Sequence, residues 1–270
     1  MSTVADVQAA VEALWPAAGA EGWDAVGLVA GAPTDPVDRI LLAVDAVAAT
    51  VDEAVVGDFG LLLTHHPLLL RGVTSVASDR YKGAMLTRLI RGGVALLAAH
   101  TNADAVDRGT SGVLAARLGL TGATPIEPNA IGGGIGRVGE LPEAVPLGRL
   151  ARAIAEILPP TAGGVRVSGD YEQPVRRVAV CGGAGDAFLG HPAVLGADVY
   201  VTADLRHHPA SEAREQAMLT GGPALIDVSH WASEWLWLDQ AAEELRTALP
   251  GVDIVVSDLR TDPWDFAVVQ

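Results

Sequence analysis

Seven short apolar runs rich in Val, Ile and Leu, near residues 39–44, 60–64, 94–99, 178–181, 198–202, 224–228 and 254–256, alternate with segments of helical period. Runs without polar alternation belong to strands covered on both faces, as in a parallel or mixed sheet flanked by helices. Helices are predicted over 4–15, 79–91, 110–118, 147–158, 209–219 and 233–248, which completes the rhythm of an α/β fold.

A chain of 270 residues can bury one large core or two smaller ones, and 50% hydrophobic against 19% charged residues excludes a disordered chain. Residues 121–139 are rich in Gly, Pro and small side chains, so a boundary is expected there. It separates an N-terminal α/β half, 1–125, from a C-terminal half, 126–270. Apolar stretches are interrupted before the roughly 18 residues a membrane helix needs, and no basic segment followed by an apolar one opens the sequence. One cysteine, Cys181, excludes an internal disulfide framework and a thiolate-rich metal site. The cytoplasm is the expected compartment. With 33 acidic and 18 basic residues the net charge is −15, which disfavours nucleic acid as a partner because phosphate binding needs clustered Lys and Arg.

The polar residues that close the apolar runs carry the chemistry. His65-His66 follows 60–64; His100-Thr101-Asn102-Ala103-Asp104 follows 94–99; His230-Trp231-Ala232-Ser233-Glu234 follows 224–228. Four of the seven histidines thus sit at strand ends, where side chains converge on a crevice in open α/β sheets, and two of them repeat one spacing to a carboxylate. Residues four apart share a face once the segment turns helical, whereas adjacent His65 and His66 diverge in extended chain, so that one can face each of two ions. Taken singly, a strand-end His can simply bond the backbone, and Glu234 can simply favour a helix N-terminus. As a set they are a ligand group for two divalent metals. Imidazole and carboxylate donors without thiolate suit zinc, iron or manganese.

A second His-His-Pro, His207-His208-Pro209, offers His208 as a general acid or base, against the alternative of a solvent-facing helix start. The glycine-rich turns 132–136 and 181–185 lack the Gly-Lys-Ser/Thr of a P-loop and the spacing of a dinucleotide fingerprint, so they read as sharp turns, the second of which follows a strand and could approach a ligand. Trp231, Trp235 and Trp237 read as packing residues.

The segments Trp23-Asp24-Ala25-Val26-Gly27-Leu28, Thr64-His65-His66-Pro67, His100-Thr101-Asn102-Ala103-Asp104, Gly136-Arg137-Val138-Gly139, Gly196-Ala197-Asp198 through Asp204, and Ser229-His230-Trp231-Ala232-Ser233-Glu234 resemble, in order, those of the NGG-interacting-factor-three-like family, the GTP cyclohydrolase I type 2 homologues. The sequence departs from the family pattern at Ala25, Ala103 and Ala203, none of them a ligand position. The resemblance implies two related α/β halves with mixed sheets flanked by helices, a dinuclear metal centre in the cleft between them, and a toroidal homohexamer. It further implies metal ligation by His65, His66, Asp104, His230 and Glu234, with His100 a ligand or close neighbour and His208 facing the site. The implied activity is hydrolysis of a small molecule, GTP being the substrate the family label suggests, by opening of the guanine imidazole ring at C8. The competing reading is a non-catalytic protein for metal storage or delivery, or an assembly scaffold.

Overall fold

The computed structural model describes residues 1–268. The chain opens with β1 (Ser2–Thr3), α1 (Val4–Leu14), β2 (Gly27–Ala30), β3 (Pro36–Val37), β4 (Arg39–Ala43), α2 (Ala48–Val56), β5 (Leu61–Thr64), α3 (Tyr81–Gly92), β6 (Ala95–Ala98) and α4 (Thr101–Asp104). There follow α5 (Thr110–Arg117), β7 (Thr121–Thr124), β8 (Glu127–Pro128), β9 (Gly134–Ile135), β10 (Arg137–Pro146), α6 (Leu147–Ile157), β11 (Arg166–Ser168) and β12 (Pro174–Ala184). The last elements are α7 (Pro192–Leu195), β13 (Val199–Ala203), α8 (His207–Thr220), β14 (Ala224–Val228), α9 (His230–Ala248) and β15 (Asp253–Val256). This is the mixed α/β architecture that the alternating runs require.

Two compact units form. Met1–Ala105 joins Leu238–Thr261 in one, and Val106–Trp237 joins residues 262–268 in the other, so neither is continuous in sequence. The first unit holds a five-stranded sheet in the order β15-β4-β5-β6-β2, with β15, β4, β5 and β6 parallel and β2 antiparallel at the edge. Every residue of β5 and β6 is buried, as their unbroken apolar sequence demands. Leu41, Val51, Leu62, Met85, Leu89 and Leu96 pack together on one side of it. Thr3 and Asp6 close a capping box on α1, and α3 stops at Gly93, whose φ of 68° gives the left-handed turn that glycine adopts without steric cost.

The second unit carries a six-stranded sheet in the order β11-β14-β13-β12-β10-β7. Here β12, β13 and β14 are parallel, and β7, β10 and β11 pair antiparallel. Each unit therefore builds on three consecutive parallel strands, β4-β5-β6 or β12-β13-β14, with an antiparallel strand beside the third. In each, the third strand is followed by a His that opens a helix with an acid four residues on.

Arg137 ties down the glycine-rich turn before β10. Only 3% exposed, it donates to the carbonyls of Gly134 and Gly136, both at 2.7 Å, and of Val106 at 2.6 Å. Burial lowers its pKa, partly offset by the Asp107 carboxylate. Arg137→Ala should leave these acceptors without their charged donor and cost on the order of 3 kcal/mol, read as a lower urea midpoint at unchanged slope. A midpoint within error of the parent would refute this role.

Candidate metal centre

In the first unit the ligand-type residues follow directly from the ends of β5 and β6. The ladder continues past β5, with His65 N–H donating to the Ala43 carbonyl and His66 N–H to that of Val44, which fixes the two rings on adjacent strand positions. His100 lies two residues beyond β6 and caps α4, its backbone N–H donating to Asn102 Oδ1 at 2.9 Å. Asn102 in turn donates to the Trp15 carbonyl at 2.7 Å, anchoring that turn to the end of α1.

One ring nitrogen from each of His65, His66 and His100 lies within 4.8 Å of the others. Their ring centroids are 5.1–5.5 Å apart pairwise. In all three, Nδ1 is engaged away from this cluster: that of His65 with the Ala99 carbonyl at 3.0 Å, that of His66 with Asp45 Oδ1 at 2.7 Å, and that of His100 with Asp24 Oδ1 at 2.9 Å. An acceptor at Nδ1 fixes the tautomer with Nδ1 protonated and directs the Nε2 lone pair to the other side, the arrangement that orients a metal-binding imidazole. Asp104 completes the group, its Oδ1 lying 3.6 Å from His65 Nε2.

Electrostatics agree with the geometry. Burial, reinforced by the neighbouring His65, lowers the pKa of His100 and favours the neutral ring that ligates metals. Burial would raise that of Asp24, yet hydrogen bonds from Thr101 and His100 hold its carboxyl below the ordinary range. Asp24 is thus a charged acceptor in a buried place, satisfied by the groups it positions.

The second unit repeats the device. His230 Nε2 lies 3.0 Å from Glu234 Oε1, one helical turn along α9, and His230 Nδ1 lies 2.7 Å from Asp204 Oδ2. Burial alone would depress the His230 pKa, but Glu234 and Asp204 overcome it and raise the value to about 11. Two carboxylates around one imidazole make a place that demands positive charge. Asp204 adopts φ 56°, uncommon outside glycine, directly after β13.

Gly183, at the end of β12, comes close enough that a Cβ there would stand 2.4 Å from Glu234 Oε1 and 3.2 Å from His230 Nε2. Ser233 fixes this approach by accepting from Gly183 N–H at 2.9 Å while its hydroxyl donates to the His230 carbonyl at 2.8 Å. The glycine-rich segment 181–185 therefore does approach the ligand-type residues, but as the last part of β12 rather than as a turn following it, because 181–184 continue the strand.

His208 stands apart. It is exposed in the first turn of α8 with its ring against His207, centroids 5.2 Å apart, and it belongs to neither cluster described above. Trp231 and Trp237 are buried, 5% and 0% exposed, in the packing role their sequence suggests. The residues to which sequence reasoning gave no role at the site are Asp24 and Asp45, whereas Gly183 belongs to the segment expected to approach a ligand. Asp45 carries the same signal as the histidines, a polar residue just beyond an apolar run.

Asp45→Ala should release His66 and weaken metal binding about 10- to 100-fold, as loss of a group that orients a ligand does. Competition against a chelating dye reads the change. Unaltered affinity would mean that the Asp45 contact holds the loop rather than the ligand.

The family model described as Duf34/NIF3 (NGG1p interacting factor 3) matches residues 2–263. A Streptomyces coelicolor protein named GTP cyclohydrolase 1 type 2 homolog is 47% identical, with 100% of this chain and 96% of that protein aligned. Among solved structures, a Staphylococcus aureus hypothetical protein superposes with a TM-score of 0.87 at 26% identity, covering 98% of this chain and 99% of that one. A Bacillus cereus protein related to NIF3 reaches 0.88 at 22% identity, with 99% of each chain covered, and shares the fold.

Proposed function

The chain belongs to the Duf34/NIF3 (NGG1p interacting factor 3) family, and from that premise we propose that it is a dinuclear metal-dependent hydrolase of the cytoplasm, acting on a small molecule. The two ions would be held by His65, His66, His100, Asp104, His230 and Glu234. One observation carries the reading: each of the four imidazoles has its Nδ1 engaged by an acceptor that turns Nε2 toward ligand-type neighbours. A histidine kept for structure also needs a partner for its N–H, so no single contact decides, but four imidazoles arranged alike at strand ends favour metal ligation.

The donor set fits zinc, iron or manganese. Bound there, paired ions would supply Lewis acidity and a water acidified toward neutral pH. The chain's own contribution is orientation. Asp24, Asp45 and Asp204 hold the imidazoles, Gly183 gives Glu234 room, and His208 is the proposed group that exchanges a proton with the substrate. The substrate consistent with the names of its relatives is GTP, with water opening the imidazole ring at C8. Assembly as a toroidal homohexamer belongs to the same reading. Among the described residues no helix is long and apolar enough to cross a membrane.

Metal-loaded protein incubated with GTP should consume it and release formate, and His208→Ala should slow this while leaving metal content intact. Full metal loading without turnover of GTP, other nucleotides, cyclic amides or phosphoesters, together with rapid transfer of metal to an apo-acceptor, would replace this reading with one of metal delivery.

A further inference from the structure

Trp23 is 60% exposed, an unusual position for an indole in the same unit as a buried imidazole cluster. Its ring meets that of His100 in edge-to-face geometry, with centroids 5.9 Å apart and planes inclined by 76°. Such a contact leaves indole surface open to solvent. The loop that carries it is nonetheless fixed. Asp24, whose side chain is fully buried, accepts from Thr101 N–H at 3.0 Å, from the Thr101 hydroxyl and from His100, while Glu21 N–H donates to Thr101 Oγ1 at 2.9 Å. A large apolar side chain is thus held in solvent, at the rim of the His65-His66-His100 cluster, by a buried carboxylate on the next residue. Core packing does not require this arrangement, because the indole fills no interior space.

We propose that Trp23 is a specificity-determining residue that stacks a planar heteroaromatic ring of the substrate beside the His65-His66-His100 group. The proposal rests on the hydrolase reading for its choice of site and deepens it by naming the residue that would recognise a flat, π-bearing ring such as a purine, as against a phosphoester or amide without one. Stacking is tolerant of ring identity, so Trp23 selects for planarity, and the polar groups nearby select among rings.

The test is binding, without turnover. Calorimetry should show that the metal-loaded protein binds GTP more tightly than ribose 5-triphosphate, which has the same charged chain and no base. Trp23→Ala should weaken GTP binding about tenfold or more and leave ribose 5-triphosphate unchanged, whereas Trp23→Phe should keep most of the affinity. Metal content and elution volume should match the parent in both variants. Equal GTP affinity in Trp23→Ala would overturn the proposal. A shift in elution volume with unchanged affinity would also overturn it, by making the indole a contact between copies of the chain. Base-dependent binding that depends on Trp23 but never leads to hydrolysis supports the stacking role and counts against the hydrolase reading.

Discussion

Glu234→Ala and His65→Ala should each leave the purified protein without most of its metal after loading and desalting, with at most one of two ions per chain retained. Glu234 is 3% exposed and His65 fully buried, so neither side chain can be replaced by a neighbouring donor from the surface. Glu234 provides the carboxylate that faces His230 Nε2, at 3.0 Å, and its removal leaves Asp204, on the Nδ1 side, as the charge facing that imidazole. His65 directly follows β5, the strand between β4 and β6, and its fully buried ring is held by the Nδ1 bond to the Ala99 carbonyl. The His65 variant also leaves a cavity and should lose about 2–3 kcal/mol of stability, so metal loss there could reflect unfolding. Glu234→Gln keeps the volume and one acceptor oxygen while removing the charge and one anionic donor to metal, so it tests the ligand role without opening a cavity. Metal at a hundred times its Kd should stabilise the parent protein by about 2.7 kcal/mol, and the Gln variant much less. Full occupancy of both alanine variants, measured by elemental analysis, would remove these residues from the ligand set.

How far the sequence discloses this arrangement depends on burial. The parallel strands β4, β5, β6, β13, β14 and β15 lie where the apolar runs predict, because strands covered on both faces must be apolar throughout. The antiparallel strands β7 and β11 are not visible as runs, because their residues are half-exposed or exposed and short strands of Thr, Gly, Arg and Ser carry no period to detect. Strand β2, Gly27–Ala30, is apolar but only four residues long and half-buried at the sheet edge, so it falls outside the predicted strands. Strand β12 extends from Pro174 although its apolar run begins at Val178, since the first part alternates in burial and is held by pairing with β10. Helix α9 starts at His230, three residues before the predicted start, so the His and the acid occupy successive turns of one helix. The ligand-type residues are legible because chemistry restricts their identity and the strand ends fix their position. Asp45 shares their place beyond an apolar run, but Asp24 is less legible, since away from such a run a carboxylate that orients a histidine is indistinguishable in sequence from a solvated one. That Leu238–Thr261 returns to the first unit follows from β15 pairing with β4, a long-range contact with no local signature.

Gly183→Ala should damage metal binding far more than it damages the fold. The residue has φ +69°, so any side chain there incurs the left-handed penalty of about 1–2 kcal/mol. The new methyl would also stand 2.4 Å from Glu234 Oε1, and something must move. The carboxylate is the end of a rotatable side chain, whereas Gly183 is held by its N–H bond to Ser233 Oγ and by the Thr202 hydroxyl donating to its carbonyl at 3.1 Å. Glu234 therefore swings aside, the fold persists, and the donor is carried away from His230 Nε2. The expected result is an unfolding free energy lower by about 1–2 kcal/mol in chelator, with metal affinity reduced by at least about tenfold. Gly164→Ala is the matched control. Its φ is +58° and a Cβ would meet nothing within 4 Å, so it carries the backbone penalty without touching a ligand-type residue. If both variants lose stability equally and bind metal equally well, the close approach of Gly183 has no bearing on the centre. A metal defect confined to Gly183→Ala would mean that the end of β12 is glycine because a carboxylate must lie against it.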